Sequence, residues 1–280
     1  MNRLLWLLTL TFTLAVLLPV AQAAATTVAL ADTPAAAQKA ITARVGDGKL
    51  TSIDKTVEDG QTTFDVEMTT KDGQERDFSV NDGGTLVSVG VALNETPAAV
   101  QKAINTLAAG YQVESIDKNL DDTEITYDVM VTKDGREKDF TVAEDGTLLS
   151  MAMTLEETPA AVQKTIQAEI AGGRVTSIDK VIDDDGVTYD VEATAPAGRP
   201  TEFTVGADGK LVSVRVTLAE TTPGAQRTIK EKIGNGKILR IEKSFVETKG
   251  VQPYEVQGQK DGKPFDFSVG PKGRFLGMDE

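Results

Sequence analysis

Ser115-Ile116-Asp117-Lys118, then Tyr127-Asp128-Val129, the turn Lys133-Asp134-Gly135, Asp139-Phe140-Thr141-Val142 and Asp145-Gly146-Thr147-Leu148-Leu149 follow one another in the middle of the chain. Apolar and polar residues alternate within these runs, which is the period of a half-buried strand, and the Asp-Gly pairs between them signal hairpin turns. Just upstream, Thr96-Pro97 precedes Val100, Gln101-Lys102 and Ile104. A threonine before a proline suits an N-cap with proline in the first helical turn, and apolar residues four apart form one helical stripe. The predicted order is a helix followed by four strands. Such a meander carries the helix on one face and leaves the other face polar and open to solvent or a partner.

The same order recurs along the chain. Gln38-Lys39, Gln101-Lys102, Gln163-Lys164 and Gln226-Arg227 are spaced by 63, 62 and 63 residues. Ser52-Ile53-Asp54-Lys55, Ser177-Ile178-Asp179-Lys180 and the diverged Arg240-Ile241-Glu242-Lys243 keep that step, as do Phe64-Asp65-Val66, Tyr189-Asp190-Val191 and Tyr254-Glu255-Val256. Thr33 and Thr158 repeat the threonine-proline pair, while Ala37, Ile41 and Val45, and Val162, Ile166 and Ile170, repeat the stripe. Further turns are expected at Glu58-Asp59-Gly60, Lys71-Asp72-Gly73, Asp208-Gly209 and Lys260-Asp261-Gly262. A closing strand is expected where Val212, Val214, Val216 and Leu218 alternate with Ser213, Arg215 and Thr217. The expected fold class is therefore α+β, with four tandem α-β-β-β-β repeats at 31–93, 94–155, 156–218 and 219–280, each a helix packed on a four-stranded antiparallel sheet. A unit of this size buries only about 60% of the surface its unfolded chain exposes, so neighbouring copies are expected to lean on one another.

Residues 1–23 read as a secretory signal: Arg3, an aliphatic run from Leu4 to Val20, and the small-residue site Ala21-Gln22-Ala23. Cleavage before Ala24 leaves a short linker, residues 24–30, and places the chain in the periplasm or outside the cell with no membrane span; the alternative reading of the same run is an uncleaved N-terminal anchor. The 280 residues contain no cysteine and no histidine, which excludes disulfide scaffolds, thiol nucleophiles, histidine triads and the common Cys/His zinc sites. A net charge of -14 argues against nucleic acid, whose phosphates are bound by lysine and arginine.

The ordered set of threonine-proline, Ile-Asp-Lys, Tyr-Asp-Val, Lys-Asp-Gly, Asp-Phe-Thr-Val and Asp-Gly-Thr-Leu-Leu resembles the PepSY-like domain family, in its form of β-lactamase-inhibitor-protein-like tandem repeats. The resemblance runs over roughly residues 31 to 280 in four copies. It implies an exported, non-catalytic binding or inhibitory module that presents its sheet to a protein or peptide. The chain departs from that pattern in having no cysteine and only 5% aromatic residues.

The candidate partner-binding residues are of three kinds. Asp65, Glu67, Asp128, Asp190, Glu192 and Glu255 recur on the polar parity of the strands and read as a solvated face rather than as a catalytic pair. Tyr111 and Phe245 have no aromatic counterpart in the other copies. Lys230, Lys232, Lys237 and Arg240, with Lys243 and Lys249, belong to a fourth copy of net charge +2, against -17 for the first three together. That division suits attachment of repeat 4 to an anionic envelope surface, and so supports an alternative function as a structural envelope or extracellular matrix repeat protein. Asp183-Asp184-Asp185-Gly186 reads as a hairpin turn, because Val181 stands where a calcium loop needs its first ligand. No catalytic residue, metal site or cofactor is expected.

Overall fold

The computed structural model describes residues 25–58, 61–120, 124–196, 198–248, 250–260 and 263–279. The expected signal, the Asp59-Gly60 and Asp261-Gly262 turns and Lys249 lie outside the described residues. The elements run β1 (Thr26–Thr27), α1 (Ala35–Val45), β2 (Lys49–Glu58), β3 (Gln61–Thr69), β4 (Glu75–Asn81), β5 (Leu86–Gly90), α2 (Ala98–Leu107), β6 (Gln112–Leu120), β7 (Ile125–Lys133), β8 (Arg136–Ala143) and β9 (Leu148–Ala152). They continue with α3 (Ala160–Ile170), β10 (Arg174–Asp183), β11 (Gly186–Thr194), β12 (Pro200–Gly206), β13 (Leu211–Arg215), α4 (Pro223–Ile233), β14 (Lys237–Ser244), β15 (Tyr254–Lys260), β16 (Lys263–Val269) and β17 (Phe275–Asp279). The class is α+β, with antiparallel sheet and four helices among the described residues.

Two compact units divide the chain. The N-terminal one is built from Ala23–Thr154 and Ile178–Thr188, and the C-terminal one includes Leu155–Ser177 and Tyr189–Glu280. In the N-terminal unit α1 buries Ala37 and Ile41 against Ile53, Phe64, Val66, Phe78 and Val80. There α2 buries Val100 and Ile104 against Ile116, Tyr127, Val129, Phe140 and Val142. In the C-terminal unit α4 buries Ala225, Ile229 and Ile233 against Ile241, Tyr254, Val256, Phe267 and Val269. Phe64, Phe78, Tyr127, Phe140, Tyr189, Phe203, Tyr254 and Phe267 are core, as expected from their parity, whereas Phe275 on β17 is exposed.

Beyond a helix packed on antiparallel strands, the pairing joins strands edge to edge past the helices. In the N-terminal unit β5 pairs antiparallel with β6, and β9 with residues of β10. In the C-terminal unit β13 pairs with β14. These seams make the sheet of each unit continuous past its helices. The apolar residues that follow each seam strand then reach forward: Val91 and Leu93 pack against the core under α2, and Val216 and Leu218 against the core under α4. Val216 and Leu218 therefore do not extend β13, which ends at Arg215. The register shifts between Thr204 and Val205, and Ser213 is buried, 7% exposed, so the simple alternation expected there is not kept.

The threonine-proline pairs also do something other than expected at all three places, Thr33, Thr96 and Thr158. Pro34, Pro97 and Pro159 are themselves the N-caps, and no side chain caps those helices. Thr96 Oγ1 instead donates to the Leu93 carbonyl over 2.8 Å, closing a short 3-10 turn, as Thr33 does to Leu30. In the fourth copy Thr221 Oγ1 donates to the Leu218 carbonyl in the same way, and the next residue, Thr222, is the N-cap, accepting from Ala225 N ahead of Pro223. The recurring glutamine has a matching task. Gln101 Nε2 donates to the Thr96 carbonyl over 2.8 Å, and Gln38, Gln163 and Gln226 make the equivalent bond. An otherwise bare carbonyl of the helix entry is thereby satisfied.

Candidate functional site

The open face is fixed by register. In the N-terminal unit, Asp54 stands opposite Asp65, Asp65 opposite Ser79, and Glu67 opposite both Ser52 and Asp77. Beyond the seam, Asp117 stands opposite Asp128, and Asp128 opposite Thr141. Lys55, Arg76, Lys118, Lys133, Arg136 and Lys138 alternate to the other side of these strands, so the centre of the open face carries acids without a lysine or arginine among them.

Hydroxyl and amide donors hold these acids. Ser79 Oγ donates to Asp65 Oδ1 over 2.5 Å, Ser52 Oγ to Glu67 Oε2 over 2.9 Å, and Thr27 Oγ1 to Asp54 Oδ1 over 2.6 Å. Asp128 accepts from Thr141 Oγ1 over 2.6 Å and from Asn119 Nδ2 over 2.7 Å. In the C-terminal unit Thr204 Oγ1 donates to Asp190 over 2.7 Å. The serines and threonines of the strands thus fix carboxylate orientation while leaving charge unneutralised, since a neutral donor supplies a hydrogen bond but no counter-charge.

Four ladder positions repeat the seam. Thr27 on β1 stands opposite Asp54, Gly90 opposite Asp117, Ala152 opposite Asp179, and Arg215 opposite Glu242. On the inner side of the last three, register brings Asp77, Asp139 and Glu202 to the same rows. Arg215 pairs with Glu202, and Arg240 lies 3.4 Å from Glu202 and 2.8 Å from Glu242, so acids of that seam are balanced. Burial of the Arg240 guanidinium opposes its charge, and Glu242 and Glu202 more than offset this and raise its pKa. At the β5–β6 seam, burial and then the charge and hydrogen bond of Asp77, with a further push from Asp128, raise the Asp117 carboxyl to about 7. Burial, and after it Asp128, also raises Asp139. Sequence reasoning missed Asp77 and Asp117 as a pair. The available signal was an acid before each of Phe78, Phe140 and Phe203, with Gly90, Ala152 and Arg215 varying opposite it.

Of the other expected residues, Glu67 and Glu192 are exposed, while Asp65, Asp128, Asp190 and Glu255 are half-buried. Asp65, Glu67 and Asp128 share the N-terminal unit's open face; Asp190, Glu192 and Glu255 belong to the C-terminal unit. Tyr111 packs beside the α2 core under the Lys133 ammonium, 5.2 Å from its ring centre. Phe245 lies under Lys243 at 4.8 Å. The basic residues do not form one patch. Lys230 and Lys232 are on the last turn of α4, with Lys232 4.3 Å above the Phe275 ring, and Lys237 opens β14. Arg240 faces the opposite side of the sheet from buried Ile241 and is held by Glu202 and Glu242.

Asp183 Oδ1 accepts from the backbone of Asp185 and Gly186 over 2.9 and 3.0 Å, a side-chain-closed turn. Among the described residues no group of three or more carboxylates is arranged to hold a metal ion. Two surface depressions stand out, both open to solvent. One of about 280 Å³ is lined by residues including Arg44, Arg76, Phe78 and Glu95, and the other lies along Ala35, Gln38, Lys39, Thr42 and Ala43. Among the described residues no helix is long and apolar enough to cross a membrane.

No family model matches the chain, and no curated protein does. Solved structures to which it is similar include a BLIP-like protein of Bacteroides fragilis, at 16% identity and a TM-score of 0.31, covering 42% of this chain and 84% of that one. A DUF2874 family protein of Bacteroides ovatus matches at 16% identity and a TM-score of 0.32, covering 43% of this chain and 87% of that one. A candidate calcium-regulated periplasmic protein of Bacteroides thetaiotaomicron matches at 17% identity and a TM-score of 0.32, covering 45% and 95%.

Proposed function

We propose that the chain is an exported, non-catalytic binding protein of four PepSY-like repeats that engages a protein through the open sheet face. The observation that carries this reading is the set of oriented acids Asp54, Asp65, Glu67, Asp117 and Asp128, which accept from hydroxyl and amide donors at the centre of a face with no lysine or arginine among them. Such a face suits a partner surface rich in lysine and arginine, since complementary potentials speed encounter and set orientation. The open depressions support a non-catalytic role: a carboxylate pair acting on substrate needs a cleft that excludes water, and Asp65 and Glu67 lie on an open sheet. The signal-like residues 1–23 support a place in the periplasm or outside the cell.

The test is capture of partners from the native extract with the wild-type chain and with Asp65→Asn/Glu67→Gln/Asp128→Asn. These substitutions keep side-chain size and remove charge. A partner retained by the wild type and lost by the triple variant at equal folded concentration supports the reading. Retention by both would move the binding surface elsewhere.

A further inference from the structure

At the β5–β6 seam the chain brings two acids together and leaves out the basic residues, Arg215 and Arg240, that balance the equivalent pair at the β13–β14 seam. Gly90 is the cause. A side-chain carbon built on Gly90 would fall 2.8 Å from the Asp77 carboxyl carbon and 2.9 Å from Oδ2, so the Asp77 carboxyl occupies the space directly above a residue with no side chain. Gly90 is also the ladder partner of Asp117. Asp77 from β4 therefore crosses over β5 to meet Asp117 on β6. At the β13–β14 seam Arg215 stands in the row of Gly90 and separates Glu202 from Glu242 with a cation.

We infer that Asp77 and Asp117 hold one proton between them above Gly90, making the β5–β6 seam a pH-sensitive latch that is closed while the proton is shared and loosened when it leaves. The groups facing the pair reinforce this. Glu67 on β3 stands opposite Asp77, Asp128 on β7 stands opposite Asp117, and Asp139 on β8 stands opposite Met130 beside Asp128. On β6 itself Ser115 Oγ lies 3.4 Å from Asp117 Oδ2 and favours the ionised form. The nearest bases, Arg76 and Lys118, take the other parity of their strands, and Arg76 pairs with Glu95. With Asp77 and Asp128 both pressing on the half-buried Asp117 carboxyl, a proton is the least costly neutraliser, because two carboxylates in contact cannot both ionise at their ordinary pKa. A protonated Asp117 then donates its O–H to Asp77 across the seam.

The latch has little else beside it. β5 meets β6 through only Ser88↔Asn119, Val89↔Lys118 and Gly90↔Asp117, followed by Val91 N donating to Ile116 O over 2.8 Å. The linkage has a definite sign. With the folded Asp117 raised to about 7 and an ordinary carboxyl in the unfolded chain, the folded state holds the extra proton between those values. Its contribution to stability is therefore fully present below the ordinary carboxylate range, declines as pH rises toward 7, and is gone above it.

Carbon-13 NMR titration of the side-chain carboxyls in the whole protein reads the pair directly. Expected is an Asp117 midpoint near 7 in the wild type, which falls by at least about one unit in Gly90→Ala and in Asp77→Asn. Gly90→Ala pushes the Asp77 carboxyl aside, and Asp77→Asn removes its charge without a size change, so the second variant serves if the first folds poorly. Hydrogen exchange of the Val91 amide, corrected for intrinsic rate, reads the seam. Between about pH 5 and about pH 8 its protection is expected to fall about tenfold more in the wild type than in Asp117→Asn, which cannot ionise. An Asp117 midpoint in the ordinary carboxylate range, a midpoint unmoved by both variants, or equal pH dependence of Val91 exchange in the wild type and Asp117→Asn would overturn the latch.

Discussion

Arg215 on β13 stands opposite Glu242 on β14, in the ladder row that places Gly90 opposite Asp117 at the first seam. The same row is thus closed by an ion network in one unit and by two acids in the other. Two positions of the repeat decide which: Arg215 stands for Gly90, and Arg240 for Ser115.

Arg215→Ala should destabilise the C-terminal unit modestly. The Arg215 and Glu202 side chains are 42% and 23% exposed, and Arg240 still contacts both glutamates after the change. The expected loss in urea denaturation is about 0.2–1 kcal/mol, as for other solvent-exposed pairs. It should shrink as added salt shortens the screening length. A loss well above this range, unaffected by salt, would mean that Arg215 acts by packing.

Gln101→Ala should weaken the entry to α2. The change removes the Gln101 Nε2 bond to the Thr96 carbonyl, whose residue is 5% exposed. The expected cost is about 0.5–1.5 kcal/mol, the net worth of one protein hydrogen bond. Gln101→Glu, which replaces the donor with an acceptor facing that carbonyl, should cost more. Denaturation curves of the two variants check the order.

Gly146→Ala and Gly73→Ala separate backbone strain from contact. Both glycines have positive φ, 83° and 86°. A side-chain carbon on Gly146 would fall 2.7 Å from the Ala99 carbonyl oxygen at the start of α2, whereas nothing lies within 4 Å of one on Gly73. Gly73→Ala should cost about 1–2 kcal/mol, the penalty of a left-handed backbone alone. Gly146→Ala should cost clearly more, because Ala99 is helix backbone and cannot step aside. Equal losses would show that α2 shifts freely over the turn.

The strands and helices were legible because period-two alternation around Phe64, Tyr127 and Phe140, and the Asp-Gly turns, act over a few residues. The seams were not. Strands β5 and β6 are joined through α2, and Ser88-Val89-Gly90 would alternate in the same way at a free edge as in a paired one. The threonine-proline pair misled for a related reason: Thr96 before Pro97 satisfies the pattern of a helix cap, yet its hydroxyl has a nearer acceptor in Leu93. On the open face, Asp65 and Asp128 were legible as polar parity. Asp77 carries no such signal, since only the three-dimensional row shows that Gly90 lets it reach Asp117.

The short strand β1 has a consequence for how the chain is made. Thr26-Thr27 takes on β2 the place that β5 takes on β6, and Val28 N donates to Ile53 O over 2.9 Å as Val91 does to Ile116. The outermost backbone groups of β2 would otherwise be a template for a strand of another molecule. That guard begins at Thr26, close behind the expected cleavage site before Ala24. A chain cut before Ala24, as the sequence predicts, would keep this guard, whereas one cut a few residues later would lose Thr26-Thr27 and leave its first edge bare.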